Sequence, residues 1–176
     1  TVRTIFKHSD KIGVKGAQRS STFNYHIHFS SFDGQLYISN PERHQILRIK
    51  SINEINDLES NYEVVIGSGV RCLPRDSSNC GDGRSALEAY LSFPKGIAFG
   101  LDGTLYFADG SAIRMVNRKG IINTIIGDNN YHQKRHWKPL PCKGSLEIDQ
   151  VKLRWPTELA IHPIDGTLYF LDDQIL

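Results

Sequence analysis

"DGTLYFADG" runs from Asp102 to Gly110, "DGTLYFLDD" from Asp165 to Asp173, and a looser copy, "DGQLYISN", from Asp33 to Asn40. A phrase written three times at module-length spacing marks a repeat architecture, and the repeat decides the fold before any single residue does. Each Asp-Gly pair sits between two short apolar runs. Before it come "IHFSSF", "IAFGL" and "LAIHPI"; after it come Leu36-Tyr37-Ile38, Leu105-Tyr106-Phe107 and Leu168-Tyr169-Phe170. Two such runs around a turn pair predict a β-hairpin, with Asp-Gly supplying the positive φ that a tight turn requires.

Two further runs complete the unit. A third strand is predicted at His44–Lys50 ("HQILRIK") and Ala112–Asn117 ("AIRMVN"), and the start of another at Gln174–Leu176. A fourth is predicted at "VRTIF" from Val2, "YEVVIG" from Tyr62 and "INTIIG" from Ile122, where Thr4, Val64 and Thr124 occupy matching places. Four-stranded antiparallel modules at this period predict an all-β fold, a fragment of a β-propeller with about two and a half blades of an incomplete ring. Helices do not suit these residues, because Val, Ile, Phe, Tyr and Thr in alternation favour a pleated surface. Only "RSALEAYL", Arg84–Leu91, reads as a helical turn, and here as a connector between blades. A β-sandwich would have no reason to repeat its side-chain pattern.

The predicted organisation is one domain over residues 1–176: an outer strand of a preceding blade at 1–8, blades at 23–69 and 81–128, and a truncated blade at 151–176, with inserted loops at 70–80 and 129–150. A blade cannot bury both faces alone, so the remainder of the propeller is an expected partner. The sequence begins at Thr1 and stops inside the apolar run Gln174–Leu176, as an excerpt would. Such a piece is not expected to fold as a stable closed unit without the remainder.

Composition is that of ordinary globular material, with 39% hydrophobic and 23% charged residues. A net charge of +2 makes no argument for nucleic acid or a membrane surface. No run of about 18 apolar residues occurs, so no helical span is predicted and no membrane contact by this segment is expected.

Three cysteines allow one internal bridge and one thiol left over. Cys72 and Cys80 flank the polar loop "CLPRDSSNC". They are either bridged or a pair of free thiols; nearby His and Cys complete no zinc pattern, which favours the bridge. Cys142 is then free or paired elsewhere.

His26 and His28 alternate along the first strand and point to one face. A metal centre would need a third ligand, so two polar residues on the channel or loop side is the plainer reading. The stretch "YHQKRHWK", Tyr131–Lys138, is the most basic in the chain. Tyr131, Lys134, Arg135 and Trp137 could face a partner there: an acidic protein, a glycan, or stacked bases. A solvated surface loop explains the same residues. Asp82, Asp102, Asp109 and Asp165 are turn and strand-end residues before they are calcium ligands. No Ser/His/Asp context, P-loop or dinucleotide turn is present.

The second blade resembles the NHL repeat through Gly81-Asp82-Gly83, Ala86, Ala89, Leu91, Pro94, Gly96-Ile97-Ala98, Asp102-Gly103, Leu105-Tyr106 and Asp109. The small Ala86 and Ala89 would let a connector lie close to the sheet, Leu91 would fill the gap between blades, and Gly96 would allow close approach. The first blade departs: it lacks Pro-x-Gly, and His28 stands where other copies have alanine. The cysteine-flanked loop before the NHL opening, and "VKLRWPTELAIHPIDGTLYFLDD" at Val151–Asp173 after a long insert, resemble the NHL domain of teneurins. That resemblance implies a non-catalytic, extracellular part of a transmembrane adhesion receptor. It further implies no cofactor, signalling and neural wiring as the setting, and a protein on an opposed cell as partner, with nucleic acid not expected. The matching residues are structural, so it carries over no contact residue. Intracellular NHL propellers that bind RNA, and propellers that are metal lyases, remain the alternative readings. The polar loop Ser51–Asn61 joins the cystine loop and the basic insert as a display element.

Overall fold

Strand-forming runs fold where the repeat places them. The structure is a computed structural model, which describes residues 25–53, 60–74, 79–128 and 145–172. Strands β1 (His26–Phe29), β2 (Leu36–Asn40), β3 (Gln45–Ile49) and β4 (Tyr62–Ile66) form one antiparallel sheet in that order. Strands β5 (Pro94–Phe99), β6 (Leu105–Asp109), β7 (Ala112–Val116) and β8 (Ile122–Gly127) form a second of the same order. Strands β9 (Pro156–Ile161) and β10 (Leu168–Asp172) begin a third. The sheets are not hydrogen-bonded into one another; they stack face to face, as blades of a β-propeller do. The runs at 2–6 and 174–176, Cys142, and the basic insert with Tyr131, Lys134, Arg135 and Trp137 lie outside the described residues.

Register makes the repeat exact enough to compare positions. Phe29, Phe99 and Ile161 pair with Leu36, Leu105 and Leu168 respectively, so the strands flanking each turn align position for position, with the second turn one residue shorter than the other two. The turns differ from the tight Asp-Gly turn expected. Only the glycine takes positive φ, at 69° for Gly34, 83° for Gly103 and 74° for Gly166. The closing backbone bonds, Ser30 N to Gln35 O, Gly100 N to Thr104 O and His162 N to Thr167 O, enclose longer loops. The aspartate acts by its side chain instead. Its Oδ1 accepts from the backbone N–H two residues on, in Gln35 (3.1 Å), Thr104 (3.0 Å) and Thr167 (2.9 Å). An Asx turn of this kind needs a short carboxylate, not an unusual backbone at the aspartate.

The core lies between sheets. Tyr37, Ile46 and Ile66 of the first sheet pack with Ala86, Ala89, Leu91, Ile97, Leu105, Phe107 and Ile122. Leu91 and Phe107, both fully buried, each contribute about 2 kcal/mol by leaving water. The connector makes one short 3-10 turn at Ala86–Glu88, and Ala86 and Ala89 bury against the sheet as small residues can. On the other face of the second sheet, Ala98, Ala108 and Ile113 pack with Leu159 of the third and with Leu153, which leads into it.

The inner strands carry a second adjustment. Three residues before Phe29, Phe99 and Ile161 stand His26, Gly96 and Glu158. A Cβ on Gly96 would press on the Thr157 carbonyl and come 2.8 Å from the Glu158 Cα. The bare glycine lets β9 lie close, and the Glu158 carboxylate passes it to reach His26 Nδ1 at 2.8 Å.

Candidate recognition face

One end of the stacked sheets gathers residues from all three. The loop between the first and second sheets is pinned there by a disulfide joining Cys72 and Cys80. Both cysteines are buried, and the loop is tied down at its base: Cys72 N–H donates to Leu91 O at 3.0 Å and Ser92 Oγ to Cys72 O at 3.4 Å. Asn79, Cys80 and Gly81 take φ of 49°, 56° and 88°, a left-handed turn that brings the chain back to the sheet. Among the described residues at this loop, Val70 is 52% and Leu73 58% exposed, with exposed Arg71 between them.

Arg71 begins a ladder. Its guanidinium carbon lies 4.6 Å over the Phe93 ring, Phe93 lies 5.6 Å from Trp155, and the Lys95 ammonium sits 3.6 Å over Trp155. His44, in the turn between β2 and β3, meets Phe93 edge-on at 6.1 Å and holds Ser92 O at 2.8 Å through Nδ1. Burial holds its imidazole below the usual value, against the raising effect of the Ser92 carbonyl. Each cation on a ring contributes about 0.5–2 kcal/mol, more where water is excluded. Arg71 is exposed, beside exposed Val70 and Leu73.

Beneath the face lies a fastener that the strand pattern does not announce. Arg114 of β7 is fully buried. Nη1 donates to Tyr90 O (2.9 Å) and Asp109 Oδ2 (3.4 Å); Nη2 donates to Cys80 O (3.1 Å) and Asp82 Oδ1 (2.8 Å). Asp82 also accepts the Thr124 N–H at 3.0 Å, and Asp109 the Phe93 N–H at 2.7 Å. Burial pushes the Asp109 carboxyl up, and the Arg114 charge opposes that shift. One guanidinium thus ties the cystine, the Gly81-Asp82-Gly83 opening and the start of β5 to one another. The sequence signal was present but slight: a lone arginine inside the apolar strand "AIRMV".

The histidines of β1 are absorbed into packing. His26 pairs with Glu158, and His28 stacks on Phe99 at 5.8 Å, where burial lowers its pKa. Phe99 accommodates the ring that replaces the small residue of the other blades. Among the described residues, no group of three or more His, Cys, Asp or Glu could hold a metal ion. Asp82 and Asp109 are occupied by Arg114, and Asp102 and Asp165 by their own turns. No helix of the described residues is long and apolar enough to cross a membrane.

The Teneurin NHL domain matches residues 1–176 as a family model. The chain belongs to the teneurin family. Teneurin-m of Drosophila melanogaster is 52% identical over 155 residues, which cover 88% of this chain and 6% of that protein. Human Teneurin-1 is 38% identical over 175 residues, 99% of this chain and 6% of its own. The chain therefore spans about 6% of the length of the curated relatives it matches. A solved structure of a Bacteroides thetaiotaomicron protein of unknown function shares the fold, with a TM-score of 0.58 at 18% identity over 83% of this chain and 32% of that one.

Proposed function

We propose that this segment is a non-catalytic recognition module in the extracellular part of a teneurin receptor, contributing to adhesion between opposed cells. The observation that carries the reading is the cystine loop, closed by Cys72 and Cys80, which displays Leu73 within it and Val70 and Arg71 at its entry. Fixed loops bind with less ordering cost than mobile ones. An exposed guanidinium flanked by apolar side chains suits a protein surface bearing a carboxylate. Membership of the teneurin family supports the receptor setting, and His26, Asp82 and Asp109 are engaged in structural bonds. The basic insert with Tyr131, Lys134, Arg135 and Trp137 is proposed as a second display element on the same module.

The test is aggregation of cells carrying the full-length receptor, with surface level measured alongside. Arg71→Glu with Leu73→Ser should lower aggregation at unchanged surface level, whereas Lys119→Glu, in an exposed turn at the outer edge of the second sheet, should leave it intact. Unchanged aggregation in the loop variant removes this loop from the account.

A further inference from the structure

The joint between neighbouring blades is built twice among the described residues, once with imidazoles and once without. Where the first sheet meets the second, His26 and His28 of β1 turn toward the joint, as does His44, the residue just before β3. The matching places in the second blade, which faces the third, hold Gly96, Ala98 and Ser111. That second joint is filled by Ala98, Ala108, Ile113, Leu153 and Leu159. His162, just past β9, pairs with Asp165 of its own turn at 3.0 Å.

Two of the three imidazoles at the first joint rest on uncharged rings. His28 stacks 5.8 Å from Phe99, and Tyr37 packs on the same ring at 4.8 Å. The polar groups around it on its own sheet are engaged with one another: the Tyr37 hydroxyl donates to Asp33 at 2.7 Å, and Arg48 donates to Glu63 at 2.6 Å. A ring face attracts a cation weakly, and burial outweighs that attraction, so the His28 pKa falls. His44 meets Phe93 edge-on at 6.1 Å, with Arg71 of the cystine loop over that ring at 4.6 Å. Burial is the largest cause of its lowered pKa and Arg71 adds to it, while the Ser92 carbonyl and Asp109 oppose it. Asp109 is itself paired with buried Arg114. The inner end of the joint is held differently, since His26 faces the opposite charge of Glu158 at 2.8 Å.

We propose that the joint between the first and second blades is a pH-sensitive latch, tight while His28 and His44 are neutral and loosened when they take up protons, and that the joint between the second and third blades does not respond. The sign follows from linkage. A histidine whose pKa is lowered on folding adds stability above its unfolded value of 6.5, and that stability is lost as pH falls through 6.5 toward the folded value. The loosening reaches the cystine loop. Ser92, whose carbonyl His44 holds, donates through Oγ to Cys72 O, and a proton on His44 sets a second cation at the ring that carries Arg71. The latch concerns the joint itself and stands whether or not that loop meets a partner.

Hydroxyl-radical footprinting of the full-length protein, read by mass spectrometry and normalised to exposed Leu101, tests it. Lowering the pH from about 7.4 to about 5.5 should raise labelling of Tyr37, Phe93 and Phe99 at least about threefold, and that of Leu159 and Phe170 less than about 1.5-fold. His28→Ala with His44→Ser, which installs the residues of the next blade, should abolish the rise. His44→Gln alone keeps a donor for Ser92 O and cannot charge; it should abolish the rise at Phe93 and leave it at Tyr37 and Phe99. Should the double variant already label heavily at neutral pH, the wild-type contrast between joints and the His44→Gln pattern decide the matter. An equal rise at both joints, no rise at the first, or a full rise at Phe93 in His44→Gln would overturn the proposal.

Discussion

Replacing Arg114 by methionine tests the fastener under the recognition face. The side chain is 0% exposed and its partner Asp109 is also 0% exposed, so the substitution leaves a buried carboxylate without its counter-charge. Removing one member of a buried pair costs about 3–5 kcal/mol, because the remaining charge is stranded in low dielectric. The Asp82 contact adds less, since that side chain is 22% exposed and water takes over part of the loss. The carbonyls of Tyr90 and Cys80 lose charged donors at the same time. These losses overlap, and a total of about 4 kcal/mol is expected by urea unfolding of the complete propeller. Asp109→Asn keeps an acceptor for the Phe93 N–H and removes the stranded charge. The double variant should therefore recover about 2 kcal/mol relative to Arg114→Met alone. Acid should help the single variant. A carboxyl whose pKa is raised on folding adds stability below its unfolded value of 3.8, lost as pH rises through the folded one. Without Arg114 the folded value climbs further, so the gap to wild type should narrow as pH falls. A loss below about 1 kcal/mol, or no recovery in the double variant, refutes the reasoning.

Gly96→Ala should cost about 1–3 kcal/mol by overpacking, because its Cβ lands on the Thr157 carbonyl and the Glu158 backbone; thermal unfolding of the complete propeller reads this, and a neutral result would mean that β9 does not lie where described. His28 keeps its neutral form in the fold, with its pKa below the usual 6.5 through burial. The stability it adds is present above pH 6.5 and is lost as pH falls through that value toward the folded one, so His28→Leu should flatten part of the decline between about pH 7 and about pH 5. An unchanged profile in that variant would place the pH dependence elsewhere.

The fold was legible because a ring reuses one pattern. Asp-Gly between aromatic runs marks each hairpin whatever the neighbouring loops do, and Leu91, Ala86 and Ala89 fall between sheets because their sizes leave no other use for them. At the turns the Asp-Gly pair supplies the expected positive φ through its glycine, whereas the longer loops and the aspartate's side-chain bond to the residue two on were not read from the sequence. The sequence reading also had no means of seeing the contact of Lys95 with Trp155 or the pairing of His26 with Glu158. Those depend on which blades become neighbours in space, and a period in sequence states only that blades recur. The Arg71–Phe93–Trp155–Lys95 ladder is of the same kind, since its members come from three segments that only stacking brings together.

The central claim is that three separate four-stranded-type sheets stack around one axis, with β1, β5 and β9 innermost. An electron cryo-microscopy map of the complete domain reads this directly. The account predicts three unconnected sheets, with the Phe32 ring over Gly103. A map with the three hairpins hydrogen-bonded into one continuous sheet, or with β9 away from Gly96, would contradict it.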